Sequence, residues 1–209
     1  MRIIRQSSFA AVPWKNGGGV THEAIRVPPD GDSFHWRVSV AQIDASGPFS
    51  DFAAYNRFMV LLKGAGVVLK FSSRAGSATV GGPAPRVREL RSVGDMEEFD
   101  GGLATHCDLV NGRCVDLNLM VSKTLPAVRA HVEVLRQPWS PGLESAESML
   151  VFPIDANVEV RSGGSTQLLE LWDLALISGR EDRQVYIAAQ EGGEAVGAVK
   201  VFLATLPGS

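Results

Sequence analysis

Four blocks of this chain hold side chains whose types and spacing could do chemistry. The densest is Pro13-Trp14-Lys15-Asn16-Gly17-Gly18-Gly19-Val20-Thr21-His22-Glu23. Three consecutive glycines permit positive φ and close backbone approach, so main-chain N–H groups could be presented to an anion; the same composition also suits a flexible turn leading into a strand. The spacing is not that of a nucleotide loop, because GxxxxGK followed by Ser or Thr is missing. From Val20 onward, alternation places Thr21 and Glu23 on one face and His22 on the other. In Trp36-Arg37-Val38-Ser39-Val40-Ala41, one face is wholly apolar. The other carries Arg37, Ser39 and Ala41, and is either solvent-exposed or the polar lining of a cavity.

The remaining two blocks are similar in kind. Gly47-Pro48-Phe49-Ser50-Asp51-Phe52, followed by Tyr55-Asn56-Arg57, reads as a turn anchored by three aromatics. Arg57 could fork to a carboxylate or form a surface ion pair. In Asp116-Leu117-Asn118-Leu119-Met120, alternation groups Cys114, Asp116, Asn118 and Met120 against Val115, Leu117, Leu119 and Val121. Free Cys and Met are unusual on a solvent face, which points to a semi-buried, pocket-lining surface.

Tests for metals and nucleophiles are negative. His22, His35, His106 and His131 form no HxH or HExxH pair, and Cys107 with Cys114 makes no zinc spacing. There is no GxSxG, and the side chains of adjacent His106 and Cys107 would diverge on a strand. No catalytic residue, metal ligand or cofactor is assigned.

The elements that must position these blocks are strands. Period-two alternation runs through 34–43, 66–71, 113–121, 130–135 and 158–161, with further strand runs at 184–188 and 195–204. Leu168 to Ile177 is ambiguous, because Leu and Ala also favour helices. Gly/Pro clusters at 17–19, 28–31, 81–83, 101–102, 163–164 and 192–193 punctuate the runs, as in a sandwich or barrel. No helix longer than about three turns is expected. A break at Lys123-Thr124-Leu125-Pro126 divides the chain into residues 1–122, which hold the polar blocks, and 123–209, a second β lobe whose strands can interleave with the first.

The chain has 209 residues, 45% of them hydrophobic, so it is too apolar for disorder and long enough to bury a core without disulfide or metal. A net charge of −3 without a Lys/Arg run argues against a nucleic-acid partner. Two cysteines are too few for a secreted disulfide framework. No run approaches the roughly 18 apolar residues of a membrane helix, and the first residues lack an apolar signal core. A cytoplasmic protein with no membrane partner is expected.

Taken in order, the block from Pro13 to Gly19 with Thr21 and Glu23, then Trp36 to Ala41, Gly47 to Ser50 with Arg57, and Asp116 to Met120, resembles the HutD/Ves family. The second half is similar only in length and strand content. The resemblance implies a mainly β, bicupin-like fold: two β-barrel or jelly-roll lobes in one chain. Family members lack the two histidine motifs of enzymatic cupins, and so does this chain. The HutD branch is encoded with bacterial histidine-utilisation enzymes. It is held to bind an intermediate such as formylglutamate or urocanate, as a governor rather than a catalyst. The Ves branch is described as stress-induced.

Under that resemblance, Arg37 and Arg57 suit a carboxylate, and Asn16, Thr21, Ser39, Ser50 and Asn118 supply neutral donors and acceptors, with Glu23 completing the ligand-binding set. Trp14 or Trp36 would form an apolar wall. The implied partner is a small carboxylate metabolite, with a homodimer left open. The rival is a metal-independent cupin enzyme, an isomerase or hydrolase acting on a small carboxylate, with Glu23, Asp116 or His106 as acid or base.

Overall fold

The computed structural model describes residues 1–72, 86–126, 128–143, 147–179, 184–190 and 198–207. The glycine clusters at 81–83 and 192–193, and the start of the run at 195, lie outside them. In chain order the strands are β1 (Arg2–Ile4), β2 (Ala10–Pro13), β3 (Gly19–Val27), β4 (Trp36–Ile43), β5 (Gly47–Pro48) and β6 (Tyr55–Lys63). Next come β7 (Val67–Ser72), β8 (Arg86–Leu90), β9 (Met96–Asp100), β10 (Ala104–Leu109), β11 (Cys114–Ser122) and β12 (Arg129–Leu135). The last six are β13 (Glu147–Pro153), β14 (Val158–Ser162), β15 (Ser165–Leu169), β16 (Leu174–Ser178), β17 (Tyr186–Ala189) and β18 (Val199–Pro207). The chain is mainly β, as the alternation predicts. The one helical segment among the described residues is a single 3-10 turn at Gln6–Ser8. No helix among them is long and apolar enough to cross a membrane.

Two compact units divide the chain. One is Ala10–Thr124, with a six-stranded sheet, β2-β3-β4-β11-β6-β9, and a four-stranded sheet, β5-β10-β7-β8. The two sheets of this unit close on a shared apolar core. Ile43, Met59, Leu61, Phe99 and Cys114 come from the larger sheet, and Val67, Leu69, Phe71, Leu90 and Cys107 from the smaller. Both cysteines are free and buried, so they act as small core hydrophobes.

The other unit joins Met1–Phe9 to Leu125–Ser209. Its sheets, β1-β16-β13-β18-β12 and β15-β14-β17, enclose Met149, Val151, Val160, Ile177, Ile187 and Val201. The first nine residues, grouped from sequence with the first lobe, belong here, because Arg2–Ile4 pairs with β16. Arg5 and the Gln6 amide bond Asp173 at 2.6 and 2.8 Å.

Among the described residues the ladders do not close into barrels, and each unit is a pair of open sheets. Proline is one physical reason. Pro13 and Pro48 sit on the edge strands β2 and β5, and lack the N–H that would extend a ladder. The ambiguous run 168–177 is two strands. Leu169 ends β15 and Leu174 begins β16, with Trp172 at φ 67 in the turn between.

Candidate functional site

Inside the Ala10–Thr124 unit, the central strands β4, β11 and β6 lie side by side. Directly opposed residues of antiparallel strands share a face. Arg37 on β4 and Arg57 on β6 both stand opposite Met120 on β11. Asn118 stands opposite Ser39, which in turn stands opposite Glu23 on β3. These two rows carry the polar part of the unit's interior; the second row ends at Met59 on β6, opposite Asn118, where with Leu61 it joins the apolar core. The opposite face of the same strands (Trp36, Val38, Val40, Leu117, Leu119 and Val121) is also buried. The solvent alternative for Arg37, Ser39 and Asn118 is therefore overturned.

The result is one cavity of about 650 Å³. All eight residues singled out from sequence line it: Asn16, Thr21, Glu23, Arg37, Ser39, Ser50, Arg57 and Asn118. Ser39, Arg57 and Asn118 are buried, Thr21, Glu23 and Arg37 are partly exposed, and Asn16 and Ser50 sit at the exposed rim.

The glycine block forms the β2–β3 hairpin at that rim. Gly17 adopts φ 70 and its amide donates to the Trp14 carbonyl at 3.0 Å. The Gly18 amide donates to Asn16 Oδ1 at 3.0 Å. Both N–H groups are thus satisfied within the loop rather than offered to an anion. Gly19 lies against β4, where a Cβ would overlap the Gln42 carbonyl oxygen. Trp14 donates its indole N–H to Thr21 Oγ1 at 2.8 Å and meets Phe49 edge-on, which makes an apolar wall. Trp36 is buried and does not line the cavity.

Arg57 is the deepest cation. Its Nη2 donates to Asn118 Oδ1 at 2.7 Å, and its guanidinium stacks 4.9 Å from the Phe49 ring and 5.0 Å from Phe99. Burial lowers its pKa to about 10, against the pull of Asp116, so it stays charged at neutral pH. Arg37 lies 3.8 Å from Glu23 and over the rings of Phe34 and Phe52; burial pulls its pKa down while Glu23 holds it up. The Nε atoms of both arginines are buried without a hydrogen-bond partner. Such groups are costly to leave unmet.

Asp116 is fully buried and does not line the cavity. Its Oδ2 accepts from Asn118 Nδ2, and its Oδ1 has no partner. Burial pushes its pKa up to about 7 even though Arg57 pulls the other way.

Sequence reasoning missed Arg26. Strict alternation from Glu23 puts Arg26 on the far face, but a bulge between Glu23 and Ile25 shifts the register and sets Arg26 directly opposite Arg37. Arg26 lines the cavity, packs over Phe34 at 5.3 Å and donates to the Gly31 carbonyl. Its Nε is a third buried donor without a partner. Phe49 and Phe52, read as loop anchors, also line the cavity. None of the four histidines does; His106 lies on β10, 3.2 Å from Asp108. Among the described residues no group of three or more His, Cys, Asp or Glu could hold a metal ion. The arrangement is suited to holding a small anion.

A family model described as HutD matches residues 6–196. An uncharacterized protein in the hutC 3′ region of Pseudomonas putida is 32% identical over 188 residues, covering 87% of this chain and 89% of that one. The solved structure of a conserved protein of unknown function from Pseudomonas aeruginosa is similar at TM-score 0.81 and 27% identity, covering 100% of this chain and 98% of the other. HutD from Pseudomonas fluorescens is similar at TM-score 0.74 and 27% identity, covering 99% of each. An oxalate decarboxylase of Lactobacillus farciminis, at 7% identity and TM-score 0.67 over 99% of this chain and 86% of its own, shares the fold alone.

Proposed function

The chain belongs to the HutD family, which is linked to the histidine-utilisation locus, and we propose that it is a non-enzymatic binder of a small anionic intermediate of histidine breakdown. Formylglutamate and urocanate represent the ligand class. Binding would sense or buffer the intermediate and so regulate histidine use. The observation that carries this reading is the convergence of Arg26, Arg37 and Arg57 on one cavity. A guanidinium–carboxylate pair in a partly dry pocket contributes roughly 1.5–3 kcal/mol, more than a neutral hydrogen bond. Ser39, Thr21 and Asn118 would fix orientation, and Trp14, Phe49 and Phe52 would supply apolar walls. We read the two sandwich units as an opened bicupin and the chain as cytoplasmic, with a small carboxylate as its partner.

One observation favours a metal-independent isomerase or hydrolase instead: a buried carboxyl with a pKa of about 7 is poised for proton transfer. Against it, Asp116 stands behind Asn118, off the cavity wall, where it cannot touch a ligand.

The test is a thermal-shift panel of urocanate, N-formylglutamate, formiminoglutamate, histidine and glutamate, with and without divalent metals. A compound at 100 times its Kd stabilises the fold by about 2.7 kcal/mol. Metal-independent stabilisation by an acid that is recovered unchanged after long incubation is the expected result. Conversion of the acid would establish the enzyme instead, and no stabilisation by any of the five would remove the ligand class.

A further inference from the structure

We infer that anion binding at Arg57 is coupled to the uptake of one proton by Asp116, which stands one carboxamide behind the cavity wall. This rests on the anion-binding reading of the cavity and adds a linked proton to it.

The geometry is a three-residue chain. Arg57 lines the cavity and donates to Asn118 Oδ1; Asn118 turns its Nδ2 to Asp116 Oδ2; Asp116 Oδ1 is buried without a partner. Arg57 is the charge that offsets an ionised Asp116. An anion arriving at Arg57 competes for the same guanidinium and adds a second negative charge close to Asp116, in an interior that screens poorly. Oδ1 then takes a proton from the buffer, and the repulsion is relieved.

The other groups around Asp116 cannot substitute. Arg57 faces it from β6 and Cys107 from β10, and Cys114 lies two residues away on its own strand. Opposite it on β4 and β6 are Ala41 and Leu61, which carry no charge. Burial pushes the Cys107 thiol up to about 12, so it stays neutral through the physiological range. Asp116, pushed up to about 7, titrates where a small further rise changes its protonation. Asp116 is thus a positioning residue: it orients the Asn118 amide that holds Arg57, and its charge sets how strongly Arg57 attracts an anion.

The sign follows from linkage. Binding raises the Asp116 pKa above its free value. Affinity is therefore highest below pH 7 and falls as pH rises through the window between the free and bound values, by up to about tenfold per pH unit.

The experiment is calorimetric titration of the full chain with N-formylglutamate and with glutarate, at pH 7.5 in HEPES and in Tris, whose ionisation heats differ. Expected are a buffer-dependent heat corresponding to roughly half a proton or more taken up, and affinity that weakens from pH 7 to 8.5. In Asp116→Asn the uptake and the pH slope vanish. In Glu89→Gln, an exposed carboxylate away from the cavity, the uptake persists. A difference infrared spectrum of the unmutated chain should gain a protonated-carboxyl band on ligand addition, and this readout stands if Asp116→Asn does not fold. Binding without proton uptake, or uptake that survives in Asp116→Asn, overturns the coupling and leaves the anion site standing. If neither acid binds at any pH, the anion reading fails and the coupling with it.

Discussion

Arg26 and Arg37 stand directly opposite each other on neighbouring strands, both over the face of Phe34, at 5.3 and 5.2 Å. Like charges in this position destabilise a sheet. Glu23 compensates only Arg37, at 3.8 Å. A chain that keeps two guanidiniums in register beside a third, Arg57, across one cavity has the local charge an anionic ligand would neutralise.

Arg57 is the deep cation of the cavity. Arg57→Ala is expected to weaken N-formylglutamate or urocanate binding by about ten- to a hundredfold, since each 1.4 kcal/mol is a factor of ten. Arg57→Lys should recover only part, because Lys keeps the charge but loses the fork. Arg37→Ala should weaken binding with a smaller effect on melting, because its side chain is partly exposed and Arg57 is not. Calorimetry and melting curves on the same samples decide this. If both alanine variants bind as the parent does, the pocket assignment is wrong.

Arg26→Ala should move stability and binding in opposite directions. Removing one of two opposed charges relieves roughly 0.2–1 kcal/mol of repulsion, so the melting temperature should hold or rise. Binding of a dicarboxylate should weaken about tenfold, the loss of one charge-assisted contact. A variant that melts lower and binds normally would make Arg26 purely structural.

At the rim, Gly19→Ala should be far more damaging than Gly18→Ala. A Cβ at Gly19 overlaps the Gln42 carbonyl and crowds the Trp14 ring at 3.2 Å, whereas at Gly18 it meets only the Asn16 carboxamide at 3.3 Å. Forcing atoms into a packed site costs about 1–3 kcal/mol. Equal melting temperatures for the two variants would contradict the close hairpin–strand approach.

Asp116 carries a pH signature in stability. Its native pKa of about 7 lies above the unfolded value near 3.9, so folding disfavours the charged form. The penalty is absent below about pH 4, grows as pH rises towards 7, and is constant above it, reaching at most about 4 kcal/mol. Urea unfolding of Asp116→Asn and the parent at pH 4.5, 6 and 7.5 should show a difference that moves in favour of the variant with rising pH. A difference that does not change with pH would show that Asp116 is not a buried titrating acid.

Elemental analysis of the purified chain is expected to find no stoichiometric iron, zinc, manganese or nickel. No histidine lines the cavity, and such sites need several converging histidines and carboxylates. One chelator-resistant metal per chain would reverse this.

The fold class was legible from local chemistry. Alternating runs such as Trp36–Ile43 and Cys114–Ser122 can bury an apolar face only as strands, and Gly/Pro clusters end them. Alternation also assigned Arg37 and Ser39 to one face and Asn118 to its counterpart, because side-chain direction repeats every two residues whatever the partner strand. Which face was wet was not legible. That depends on what covers a sheet, and only the tertiary structure closed β4, β11 and β6 on both sides. The bulge that turns Arg26 inward arises from the pairing of β3 with β4, so no reading of β3 alone could reveal it. The place of Met1–Phe9 was likewise decided at long range: Arg2–Ile4 finds its partner in β16. From sequence, Asp116 is one of three candidate acids or bases, with Glu23 and His106. Its shifted acidity comes from losing water while facing a single guanidinium, and both conditions exist only once the two sheets have packed.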